Sequence, residues 1–257
     1  MAQLMFRSGT ALSCLVLLSL ACGRAPEVAE TPSVGLTAQS LSVSDCPAGY
    51  NIIQGTSGPD ILNGTAGSDC ILGLGGDDTI HGLGGKDFLI GGNGGDTIYG
   101  DADDDTIHGE AGNDQLDGGD GDDWLSGGGN VDTIRGGIGN DNITGDDGND
   151  MLYGDDGDDV IDGAANADNI WGGAGDDVLY GNASNDNLYG EAGDDALIGG
   201  TGTNTADGGP GTDACSGINC EKPQLSVSGC TQSSACGAYQ RCLTMIGLCL
   251  GCVSDQD

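Results

Sequence analysis

Positive charge is nearly missing from this chain. Its 257 residues hold six Lys and Arg against 41 Asp and Glu, a formal net charge of −35. A surface of that sign repels phosphate backbones, which excludes a nucleic-acid partner. Histidine is as scarce: only His81 and His108 occur, each followed by Gly. Neither belongs to an H-E-x-x-H zinc motif, and no G-x-S-x-G elbow or Walker loop is present. Long apolar runs are lacking too, because the stretch Ala11–Leu20 is too short to span a bilayer. Outside the signal-like start and the repeats described next, only residues 22–54 and 217–257 remain, and neither is long enough for a usual catalytic domain. No enzymatic activity is expected.

What the chain has in abundance is order of another kind. Residues 55–216 repeat the phrase G-x-x-G-x-D-x-[IL]-x eighteen times with no insertion or deletion. Gly holds the first position from Gly55 to Gly208, and Asp the sixth position in every copy but one, which has Asn204. Ile or Leu holds the eighth position from Leu62 to Leu197; Ala206 and Cys215 close the series. A short strict period marks a solenoid. Gly at positions one and four is expected to supply positive φ in turns, leaving the last three residues of each copy as a short strand. Strand side chains alternate, so position eight faces inward and positions seven and nine outward. Two copies make one coil, and stacked coils ladder in parallel. No copy is stable alone, and stability comes from its neighbours.

One aliphatic side chain per nine residues contributes less than the ordering of those residues costs. Another interaction must hold the turns. The array carries 35 carboxylates and two cations, Lys86 and Arg135, so its formal charge is 2 − 35 = −33. Stacking such turns without counter-ions is repulsive. Carboxylates with the carbonyls of Gly-rich turns form an oxygen-only donor set, which suits a hard cation, and a flexible cage of this kind suits Ca²⁺ over Mg²⁺. Two stacks of nine turns have at most sixteen gaps, a ceiling of about sixteen ions (roughly +32) for that charge.

The repeats resemble the glycine-rich nonapeptides of hemolysin-type calcium-binding (RTX) proteins, best at Gly118-Gly-Asp-Gly-Asp-Asp123-Trp-Leu125 and Gly172-Gly-Ala-Gly-Asp-Asp177-Val-Leu179. The resemblance implies an all-β fold, a parallel β-roll of about nine 18-residue coils, with Ca²⁺ between turns and a largely disordered metal-free form. It also implies that the sixth-position carboxylates are ligands together with nearby carbonyls. These are Asp60, Asp69, Asp78, Asp87, Asp96, Asp105, Asp114, Asp123, Asp132, Asp141, Asp150, Asp159, Asp168, Asp177, Asp186, Asp195 and Asp213. Many members of that family carry a catalytic or pore-forming domain and a C-terminal export signal. Neither such domain is expected in the stretches outside the repeats, and the start reads as an N-terminal signal, so toxin and protease activities are not carried over. Numbering copies from Gly55, every even copy keeps its Asp. Three of the four departures from Gly at position four (Asn130, Asn166 and Ser184, but not Asp103) fall in odd copies, as does Asn204. The even face is therefore expected to bind calcium more completely.

The ends read differently. Arg7, the apolar stretch and Leu18-Ser-Leu-Ala-Cys22 resemble a bacterial lipoprotein signal, although Ser19 stands where Leu is more usual. Lipid on Cys22 would anchor the chain at a membrane once residues 1–21 are removed; an ordinary secretory signal is the other reading. Either route leads to an oxidising compartment. The expected layout is a signal peptide (1–21), a tether (22–45), an N-terminal cap (46–54), the array (55–216) and a small disulfide-rich tail (217–257). A Cys46–Cys70 bridge could clamp one end of the array, and Cys215 with Cys220 the other. Between Cys230 and Cys252 the spacing C-x5-C-x5-C-x6-C-x2-C reads as disulfides, with zinc at Cys249-Leu-Gly-Cys252 as the rival. Nine cysteines remain after the signal and lipid site, so one is left over or pairs between chains. Finally, Tyr153, Trp171 and Tyr189 lie eighteen residues apart at position nine, with Tyr99 further along the same outward column. Such a column either stacks along the strand ladder or binds a glycan or cell-surface partner as an adhesin would.

Overall fold

The computed structural model of the chain describes Val43, residues 46–217 and the backbone of Asn219 and Cys220. The expected signal, Cys22 and the tail cysteines from Cys230 to Cys252 lie outside the described residues. The repeats wind into a parallel β-solenoid of two facing sheets, each of ten strands. Numbered in chain order, the first sheet contains β1 (Asn51–Gln54), β3 (Asp69–Gly75), β5 (Phe88–Asn93), β7 (Thr106–Ala111), β9 (Trp124–Gly129), β11 (Asn142–Asp147), β13 (Val160–Asp162), β15 (Val178–Tyr180), β17 (Ala196–Ile198) and β19 (Ala214–Ser216). The second contains β2 (Ile61–Asn63), β4 (Thr79–His81), β6 (Thr97–Ala102), β8 (Gln115–Asp120), β10 (Thr133–Ile138), β12 (Met151–Asp156), β14 (Asn169–Ala174), β16 (Asn187–Ala192), β18 (Thr205–Asp207) and β20 (Asn219–Cys220). Even copies feed the first sheet and odd copies the second.

Register follows directly from the period. Within the array each strand pairs with the strand eighteen residues on, as in Leu152↔Ile170 and Leu125↔Ile143. The eighth-position side chains from Ile71 to Leu197 are buried and form one continuous core, closed by Ala206 and partly buried Ile53, Leu62 and Cys215. The ladder continues past the array at both ends. Ile53 of β1 pairs with Ile71 ahead of the first copy, and Cys220 of β20 pairs with Ala206 after the last.

Two expectations about the backbone need correction. Half of the twenty strands are six residues long rather than three, because pairing runs on through positions one to three of the following copy. The inward alternation runs on as well, so position-one glycines such as Gly100, Gly118 and Gly154 are buried. The second correction concerns φ. No position-one glycine has positive φ; the left-handed residues stand at positions two and four. Position two is left-handed in all sixteen copies from Leu74 to Gly209, whatever residue is there, including Leu83 (φ 76°) and Ala164 (φ 62°). The four non-glycine residues at position four, Asp103, Asn130, Asn166 and Ser184, keep the turn with φ of 72–90°. Position-one glycine has a different role. A Cβ on Gly118 would overlap the Oδ2 of Asp123 and the carbonyl oxygen of Gly136 in the next coil.

The N-terminal end carries its own clamp. Cys46 and Cys70 form a disulfide. Around it Cys70, Leu72 and Ile90 are buried on the outer side of the first sheet, packed with Cys46, Tyr50, Leu74 and Phe88. At the other end Cys215 occupies the last core position, while the side chain of Cys220 lies outside the described residues.

Candidate metal centre

The sixth-position aspartates sit at the inner corners where each turn enters its strand. From Asp69 to Asp195 they are 0–3 % exposed. Two ladders of hydrogen bonds run through them, one on each side of the roll. Each backbone N–H donates to Oδ1 of the aspartate one coil further on: Asp78 to Asp96 at 2.8 Å, Asp96 to Asp114 at 2.8 Å, Asp123 to Asp141 at 2.8 Å. Oδ1 is therefore satisfied. The second oxygen is not. In fifteen copies, from Asp78 to Asp195 and at Asp213, Oδ2 is buried and has no hydrogen-bond partner. A buried acceptor without a donor costs on the order of 1–3 kcal/mol, more when charged, and native proteins rarely keep one.

The one copy with asparagine shows what the position wants. Asn204 also accepts the N–H of the preceding rung, Asp186, at 2.8 Å. Its Nδ2, which stands where the others have Oδ2, donates to the carbonyl oxygen of Gly199 at 2.6 Å. Where nitrogen replaces oxygen, the site is satisfied by the carbonyl of the copy's own first glycine. In the aspartate copies the corresponding atom is an acceptor with no donor, and a proton or a cation would satisfy it. Burial accordingly pushes these carboxyls up, against the pull of the rung N–H and with added repulsion from neighbouring carboxylates. Asp105, Asp132 and Asp168 rise to about 8, Asp96 and Asp141 to about 7, and Asp87 and Asp123 to about 6. Among the described residues no three Asp, Glu, His or Cys side chains gather at one point. A cation between coils would have to complete its shell with carbonyl oxygens beside the carboxylates, the donor chemistry of Ca²⁺.

The profile of the RTX calcium-binding nonapeptide repeat (4 copies) matches the chain in overlapping stretches: 49–80, 81–116, 90–125, 99–134, 126–161, 135–170, 162–197 and 189–217. The chain belongs to the RTX calcium-binding repeat family. No curated relative matches it.

Within this RTX array the two faces differ less than the spacing suggests. Orphaned Oδ2 atoms occur on both sides, and Asn204 is the one sixth-position loss. The asymmetry lies instead at position five, on the outside. On the even side an unbroken run of side chains each accepts the N–H of the next coil: Asp122 from Asn140, Asn140 from Asp158, Asp158 from Asp176, Asp176 from Asp194, and Asp194 from Thr212. On the odd side Asp77, Asn113, Asn149 and Asn185 do this only on alternate coils.

The aromatic column of the second sheet is stacked on itself. Tyr153 and Trp171 lie 4.6 Å apart at 6°, Trp171 and Tyr189 5.4 Å apart at 12°, and Arg135 covers Tyr153 at 4.3 Å. His81 stacks on Tyr99 further along. The ring faces that a sugar would use are turned towards neighbouring rings. The repeat phrase also gave no hint of a second outer contact, in which position nine meets position two of the coil after it. It joins His81 to Asp101, Ser126 to Asp146, Arg135 to Asp155 and Asp162 to Asn182. A search for complementary pairs twenty residues apart would have found it.

Proposed function

We propose that this chain is an exported structural module whose roll is ordered by calcium, tethered to a bacterial surface through lipid on Cys22 and without catalytic activity. The observation that carries the calcium part is the row of fifteen buried Oδ2 atoms with no donor, set against the satisfied amide of Asn204. Asp78 to Asp195 and Asp213 would hold the ions, together with carbonyl oxygens of the glycine turns. Bound calcium would neutralise the buried carboxylates and tie each turn to the next. The position-one glycines leave room for the carboxylate, and the rung N–H groups fix its other oxygen. The lipobox-like Leu18-Ser-Leu-Ala-Cys22 supports export and anchoring. Repetition of equivalent carboxylates supports ligation over a single tuned acid–base pair. The stacked faces of Tyr153, Trp171 and Tyr189 favour a ladder-stabilising role over glycan binding.

A calcium titration of the mature protein followed by circular dichroism tests this. Strand signal should appear cooperatively at about 10⁻⁴–10⁻³ M calcium, the range of extracellular modules. Full strand signal in excess chelator at neutral pH would overturn it. Fatty-acid labelling that is present in the wild type and lost in Cys22→Ser tests the anchor.

A further inference from the structure

We propose that the first coil is a calcium-independent end cap, and that copies one and two bind no ion. The inference builds on the calcium reading of the later copies. Four observations separate this coil from the rest. Its turns have no left-handed residue at position two or four, whereas every later copy is left-handed at position two. Position two is Thr56 in copy one and Thr65 in copy two, and Thr stands at that position in no other copy. Those threonines supply the donors that later turns lack. Asp60 Oδ2 accepts the Thr56 N–H at 2.6 Å and its hydroxyl at 2.9 Å; Asp69 Oδ2 accepts the Thr65 N–H at 2.5 Å and its hydroxyl at 2.9 Å. The two carboxylates are correspondingly drawn away from their glycines. A Cβ built on Gly55 or Gly64 would lie 2.8 Å from Oδ2, and it would lie closer in all later aspartate copies.

The chemistry follows from these contacts. A carboxylate oxygen that already takes two donors from its own turn has satisfied its lone pairs, and the hydroxyl stands in for a cation. The rung ladder still runs through the coil, since Asp60 and Asp69 donate their N–H groups to Asp78 and Asp87 at 2.8 Å. The cap therefore presents the next coil with a formed edge. The Cys46–Cys70 disulfide and the outer cluster of Leu72, Ile90 and Tyr50 fasten the same coil from outside. Solenoid ends need such closure. Here it is built so that it persists when calcium is withdrawn, and the ion-dependent coils add to it on calcium return.

The test is hydrogen exchange on the full mature chain in excess chelator at neutral pH, with the disulfide intact. Amides of Asn51, Gly55, Thr56 and Thr65 should exchange at least tenfold more slowly than those of copies three to eighteen, and should lose that protection in Cys46→Ser/Cys70→Ser. Equal and fast exchange everywhere would overturn the cap while leaving the calcium reading intact. Strong protection along the whole array would overturn both. Native mass spectrometry in calcium gives a second readout. Asp60→Asn/Asp69→Asn should bind as many ions as the wild type, whereas Asp123→Asn binds one fewer; a loss of two ions in the double variant would refute the assignment.

Discussion

Replacing one buried aspartate by asparagine should have opposite effects with and without calcium. Asp132 is fully buried; its Oδ1 accepts the Asp114 N–H at 2.8 Å, and its Oδ2 has no partner. In Asp132→Asn the amide oxygen keeps the rung, and the new NH₂ can donate to a carbonyl as Asn204 does to Gly199. The unsatisfied acceptor disappears, so the metal-free coil gains about 1–3 kcal/mol. In calcium the same change removes a ligand. A site held at 100-fold above its Kd contributes about 2.7 kcal/mol, and that contribution is lost. The two media therefore differ in sign by amounts that urea titration resolves. Because the metal-free array is expected to be mostly disordered, the chelator arm is best read with three successive rungs changed: Asp114→Asn, Asp132→Asn and Asp150→Asn. Their strand signal in chelator should exceed that of the wild type, while the urea midpoint in calcium falls and three ions are lost from the native mass spectrum. A shift of the same sign in both media would refute the reasoning, because it would mean that Oδ2 already has a partner.

Acid should fold the metal-free protein. From Asp87 to Asp195 the sixth-position carboxyls titrate near 3.8 when unfolded and are pushed up to about 6–8 in the metal-free roll, chiefly by burial. Folded pKa values above unfolded ones mean stability that is present at low pH and lost as pH rises through about 6–8. In chelator, strand signal should grow between about pH 8 and 5, and ordinary acid unfolding over that window would contradict the burial argument. Gly118→Ala should cost about 1–3 kcal/mol from overlap with Asp123 and Gly136, whereas Gly58→Ala, in open space without positive φ, should be neutral or slightly stabilising in thermal melts. Trp171→Ala should lower the melting temperature through its two ring contacts, each worth about 0.5–1.5 kcal/mol beyond area. An unchanged melt with lost surface binding would instead favour an adhesin.

The period of nine made the architecture legible because it sets register at eighteen residues and leaves one inward aliphatic per strand. It also marked the sixth-position aspartates, since no solvated role repeats so strictly. What it hid was local. A glycine kept for space and one kept for φ look alike in a sequence, and only the structure shows that Gly118 leaves room for Asp123 rather than supplying positive φ. Left-handed φ at Leu74, Leu83 or Glu110 is imposed by the coils above and below, not by intrinsic preference. Thr56 and Thr65 occupy a variable position, and only their hydroxyl contacts reveal that they change the chemistry of Asp60 and Asp69. The column of Tyr153, Trp171 and Tyr189 was visible, but spacing alone does not say whether rings face outward or one another.

Anomalous diffraction from crystals of the mature protein grown in calcium addresses the central claim most directly. Calcium peaks are expected about 2.3–2.6 Å from Oδ2 of the sixth-position aspartates between Asp78 and Asp213, on both sides of the roll, with none at Asn204. Peaks confined to the exposed position-five side chains such as Asp122 and Asp158, with the buried Oδ2 atoms left unbonded, would contradict it.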